Sequence, residues 1–79
     1  MKHKLKPGDV VLIWYYNKLC FGIVDSLMVW RNEDLELEMP AYMVLMEDKS
    51  YIMKRESQMY NVSDIASKYE YIHGNIRRR

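Results

Sequence analysis

Two histidines and one cysteine, His3, His73 and Cys20, are the natural candidates for proton transfer or nucleophilic attack in this chain. A general base needs a scaffold that fixes it within hydrogen-bond reach of its proton. Both histidines lie near the ends of the sequence, outside any expected strand. Cys20 precedes Phe21 and has only Lys18 nearby to stabilise a thiolate, so it reads as a small buried apolar residue. A lone cysteine forms neither an internal disulfide nor a thiolate metal cluster. Gly8, Gly22 and Gly74 are isolated, which leaves no phosphate-cradling loop. Asp34, Glu36 and Glu38 alternate and offer hard oxygen ligands, but calcium loops converge their ligands around a glycine turn, and this segment has none. They read as a solvated acidic edge. With no nucleophile–base pair, the chain is expected to be non-enzymatic, with no cofactor and no metal.

The chemistry left is that of contact. Trp14, Tyr15, Tyr16, Trp30, Tyr42, Tyr51 and Tyr60 are too many to share one small core. Surface Tyr and Trp serve protein interfaces, methyl-ammonium cages or base-stacking platforms. An interface is the preferred reading, because nothing in the spacing fixes the geometry of the other two. Methionine fills core gaps and adaptable contact surfaces alike; most of the seven are expected inside, with Met39 an exception. The candidate partner contacts are Leu35, Leu37, Met39, Trp14, Tyr16 and Trp30.

Charge is segregated rather than large. The formal net charge is +1, yet Lys2, Lys4 and Lys6 open the chain and Arg77, Arg78 and Arg79 close it. From Asn32 to Asp48 there is no basic residue, while Glu33, Asp34, Glu36, Glu38, Glu47 and Asp48 are acidic. The basic ends form a candidate clamp for weak nucleic-acid binding.

These residues must be positioned by one domain, since 79 residues allow no more. A chain this short buries only about 60% of the surface it exposes when unfolded. At 49% hydrophobic and 13% aromatic it has the material to fold. The longest apolar run, Val10 to Tyr16, is far below the roughly 20 residues of a membrane span. Pro7-Gly8-Asp9 also separates the basic N-terminus from any apolar run, so a signal peptide and a membrane partner are not expected. A soluble, cytoplasmic protein is expected.

Lys6-Pro7-Gly8-Asp9 is a turn signal. Val10 to Tyr16 follows as a strand of β-branched and aromatic residues, and Asn17-Lys18 as the next turn. Phe21 to Arg31 predicts a longer strand, with Phe21, Ile23, Leu27 and Val29 on one side and Val24, Met28 and Trp30 on the other. Asp25-Ser26 interrupts both sides and predicts a bend or bulge where the buried side changes. Asp34 to Met39 alternates acid with apolar and predicts an extended segment ended by Pro40. Ala41 to Met46 and Tyr51 to Lys54 predict a hairpin around the polar turn 47–50. Residues 56–60 suggest one helical turn, and Asn61-Val62 a final strand. Ser63 then caps a short helix over 64–71, with Gly74 as terminator.

Lys6-Pro7-Gly8-Asp9-Val10-Val11-Leu12-Ile13 followed by Phe21-Gly22-Ile23-Val24 resembles the opening of Src-homology-3-like (SH3-like) barrels of the KOW and Tudor type. Tyr42-Met43-Val44-Leu45, Tyr51-Ile52-Met53 and Glu56-Ser57-Gln58-Met59 look like the remaining hairpin and closing turn. The layout is also similar to small accessory proteins of tailed bacteriophages. The resemblance covers about residues 5–62 and implies a mainly β, five-stranded SH3-like barrel. The expected layout is that barrel with its basic lead over 1–62, then the short helix and basic tail over 63–79. Such barrels host many unrelated tasks, so the expectation of a protein-interaction or assembly module rests on the aromatic surplus, with a host cytoplasm or a virion as its setting if phage-encoded. KOW-type RNA binders carry basic first loops, whereas Asn17-Lys18-Leu19-Cys20 has one lysine, which disfavours nucleic-acid binding there. A protein partner or a second copy is the expected ligand.

Overall fold

The computed structural model describes residues 2–62, which form five antiparallel strands. The strands are β1 (Val10–Tyr15), β2 (Lys18–Asn32), β3 (Leu37–Met46), β4 (Tyr51–Arg55) and β5 (Met59–Asn61). They make one sheet in the order β4-β3-β2-β1-β5, with a 3-10 turn, Glu56–Gln58, between the two outermost strands. The helix expected over 64–71, its Ser63 cap, His73, Gly74 and the Arg77–Arg79 cluster lie outside the described residues.

The mainly β expectation holds because the residues drive it. The inward sides of β1, β2 and β3 carry Val11, Ile13, Cys20, Val24, Tyr42, Val44 and Met46, and with Leu5 and Met59 these form the buried core. Val24 and Val44 face each other across the β2–β3 ladder at 1% and 0% exposure. Cys20 is buried, as a small apolar residue would be. Gly22 is required where β2 crosses β3, because a Cβ there would sit 2.5 Å from the Val44 side chain.

Turn chemistry explains most differences from the sequence expectations. The first hairpin turns at Tyr16 and Asn17, not at Asn17-Lys18. Tyr15 pairs with Lys18, and both turn residues have positive φ, 48° and 63°. That is the two-residue geometry whose twist matches the flanking strands, so β2 begins three residues earlier than expected. The Lys6–Asp9 turn forms as expected, with Gly8 at φ 96° and the Asp9 N–H donating to the Lys6 carbonyl at 3.1 Å.

The segment 34–39 is not one extended edge. Residues 33–36 form the loop of the β2–β3 hairpin, where the Leu35 N–H donates to Asn32 Oδ1 at 3.2 Å and Glu36 takes φ 52°. Local side-chain-to-backbone bonding here overrides the period-two pattern. Pro40 does not end a strand either. It lies within β3, opposite Val29, one residue beyond the last β4 pairing at Ala41. There β3 has a neighbour on one side only, a setting in which a missing N–H is tolerated. The last strand is Met59–Asn61 rather than Asn61-Val62.

The irregularity expected at Asp25-Ser26 is present as a register slip between Val24 and Ser26. Asp25 is the extra residue. Directly opposed residues in a ladder share a side. Before the slip Ile23 opposes Leu45 on the outer side; beyond it Leu27 opposes Tyr42 on the inner side. The two sides of β2 therefore exchange. The expected change of buried side takes an unequal form, since Leu27 and Val29 remain about half exposed beyond the core while Met28 and Trp30 are partly covered.

Candidate interaction surface

The outer side of β5, β1 and β2 carries three cross-strand rows. Trp14 opposes Leu19; Leu12 opposes Phe21 on one flank and Tyr60 on the other; Val10 opposes Ile23. No charged side chain occupies any of these positions. Trp14 is 60% exposed, Tyr60 63% and Phe21 50%, and Leu19, Ile23 and Val10 are also exposed. The surface continues across β3 and β4 through Ile23–Leu45–Tyr51 and Met43–Met53. A hollow of about 240 Å³ opens beside it, lined by Val10, Phe21, Ile23 and Leu45 with Glu47 and Lys49 at the rim. An antiparallel sheet usually covers one side with its core and presents polar residues on the other. This one presents apolar residues on both.

Only some of the expected contact residues meet here. Trp14 stands in the first row. Trp30 and Met39 oppose each other on the same outer side of the sheet, farther out along the β2–β3 ribbon. There the Arg55 guanidinium lies over the Trp30 ring, 4.7 Å from its centroid. Leu35 and Leu37 sit at the ribbon tip, 65% and 41% exposed, away from the rows. Tyr16 projects from the first turn and packs edge-on against Tyr15, with ring centroids 4.5 Å apart. The Tyr15 hydroxyl reaches Ser50 Oγ at 2.9 Å and donates to Asp48 Oδ2 at 3.2 Å. Hydrogen bonds from Ser50, from its side chain first and then its backbone, hold the Asp48 carboxyl below its ordinary value of 3.8.

Leu12, Phe21, Ile23, Leu45, Tyr51, Met53 and Tyr60 join this surface although they are not among the contact residues expected from the sequence. The signal was available. Val10 to Tyr15 is apolar at every position, and an unbroken apolar strand in a domain with one core must send half its side chains outward.

The N-terminal lead is held more firmly than its terminal position suggests. The His3 Nε2–H donates to the Met28 carbonyl at 2.7 Å, and its ring packs edge-on against Tyr42. Leu5 is buried, and its N–H donates to the Tyr42 hydroxyl at 3.1 Å. That hydroxyl in turn donates to Glu56, which also accepts from the Lys4 N–H at 2.8 Å. Burial first, then the Glu56 carboxylate, holds the Tyr42 hydroxyl above its ordinary value of 10.0. The expectation that no scaffold holds His3 is thus corrected: the lead is tied to β2, β3 and the 3-10 turn through Met28, Tyr42 and Glu56. Lys2, Lys4 and Lys6 alternate with His3 and Leu5 and point outward, exposed.

Among the described residues no group of three or more His, Cys, Asp or Glu is placed to hold a metal ion. No helix among them is long and apolar enough to cross a membrane. Comparison with family models, curated proteins and solved structures finds no match to this chain.

Proposed function

We propose that this protein is a non-enzymatic interaction or assembly module that works through the outer side of β5, β1 and β2. The observation that carries the reading is the uncharged triple row Trp14–Leu19, Tyr60–Leu12–Phe21 and Val10–Ile23. The largest apolar patch on a typical monomer is about 300–600 Å² and is itself often functional. Six side chains here, each between 39% and 63% exposed, present roughly 700 Å². Strand order β4-β3-β2-β1-β5, with the 3-10 turn leading into β5, supports an SH3-like barrel of the KOW and Tudor layout. That barrel serves many unrelated tasks, so the surface carries the functional argument rather than the fold. An accessory protein of a tailed bacteriophage, in the host cytoplasm or the virion, is the setting that agrees with the layout.

The test uses the full chain at its natural level in cells that make it. Size-exclusion of the extract is expected to place it in a species larger than one chain. Trp14→Ser with Tyr60→Ser, both at exposed positions, moves it to the monomer volume while leaving it folded. A wild type already at the monomer volume overturns the reading. So does recovery on nucleic acid with steeply salt-dependent retention carried by Lys2, Lys4 and Lys6, which promotes the nucleic-acid alternative.

A further inference from the structure

We infer that the occupant of this outer surface is a second copy of the same chain, docked face to face about a two-fold axis. The inference rests on the interaction reading above and names its partner.

Three observations carry it. First, the area fits: a standard protein interface buries about 800 Å² on each partner, close to the roughly 700 Å² that the rows present. Second, the surface is complementary to itself. In a two-fold contact the same patch meets its own copy, so any charge on the axis meets a like charge. The three rows contain none, and the hollow beside them carries one charge of each sign, Glu47 and Lys49. Third, the rows are cross-strand ladders on a sheet whose other side is already filled by the core. Two such sheets stack about 10 Å apart with interleaved side chains, the arrangement of a β-sandwich. Phe21 and Leu12, in the middle row, fall at the centre of the contact, with Trp14 and Ile23 on opposite sides of them.

The experiment uses purified full-length protein. Sedimentation equilibrium is expected to give twice the mass of one chain at high micromolar concentration, declining to one chain on dilution. Phe21→Lys places a charge at the centre and is expected to give the single-chain mass at every concentration, with heat unfolding still cooperative. Phe21→Cys guards against a variant that fails to fold. The native thiol, Cys20, is buried, so a short bis-maleimide is expected to link two copies through position 21. A folded Phe21→Lys that remains dimeric, or a Phe21→Cys that does not cross-link, overturns the inference.

A monomeric wild type also overturns it, and thiol kinetics at Phe21→Cys then identify the true occupant. A slow thiol means that residues 63–79 of the same chain cover the surface. A fast thiol in a monomer that is still part of a larger species in extract means that the partner is another protein. In that case the interaction reading stands and the self-pairing fails.

Discussion

Tyr42 shows how much one side chain does in so small a barrel. Its ring lies in the core at 0% exposure, and its hydroxyl joins the N-terminal lead to the 3-10 turn through Leu5 and Glu56. Tyr42→Phe keeps the ring and strands the buried Leu5 N–H, which is expected to cost about 1–3 kcal/mol in urea unfolding. The change also alters pH dependence. An unfolded tyrosine ionises near 10, and Tyr42 ionises above that when folded. Above pH 10 the unfolded state therefore binds fewer protons, and stability falls as pH rises. The contribution is complete below pH 10 and is lost through the folded value; Tyr42→Phe lacks that part of the slope. The aromatic surplus was legible in the sequence, but which tyrosine is internal was not. That depends on Leu5 and Glu56 arriving from distant positions to satisfy the hydroxyl.

At the scale of elements, strands were legible and turns less so. Val10–Tyr15 and the β3–β4 hairpin follow from unbroken apolar runs, rich in β-branched and aromatic residues and bounded by turn residues. The bulge at Asp25 was legible because a charged residue interrupts an otherwise apolar strand. The ribbon tip misled because acid–apolar alternation is also compatible with a loop, and the Asn32 side chain decides for the loop. The structure makes the tip energetically minor. Leu35 and Leu37 are exposed, and the Arg31–Glu38 ion pair of the ribbon, at 2.9 Å, is solvent-facing and contributes about 0–1 kcal/mol. Leu35→Ser with Leu37→Ser is therefore expected to change unfolding stability by less than about 0.5 kcal/mol per site. Loss of cooperative melting in this double variant would show that the tip folds back onto the barrel.

For the molecule as a whole, thin stability and an apolar exterior go together. A domain of this length has a stability on the order of 5 kcal/mol. Val24→Asp places an unpaired carboxylate opposite Val44 at a site 1% exposed, at a cost of several kcal/mol. Cooperative melting by circular dichroism is expected to vanish; a mutant that melts near the wild-type temperature would refute the strand assignment. The outer surface was half legible. The sequence shows more apolar residues than one core can hold, but which of them share a surface depends on the register between β5, β1 and β2. That pairing joins residues nearly 50 positions apart, such as Leu12 and Tyr60.

The extra residue at Asp25 has a bearing on how such chains change length over generations. Pairing is set independently on its two flanks: Val24 with Val44 before it, Ser26 with Met43 after it. Loss of Asp25 alone would leave the β2–β3 pairing on both flanks in place and remove only the local irregularity. Beyond it, one residue added to each strand of the ribbon lengthens the hairpin without moving a core contact. One added to a single strand slips every pair out to the tip. Descendants of this sequence are thus expected to differ in ribbon reach by matched insertions, while the barrel keeps its length.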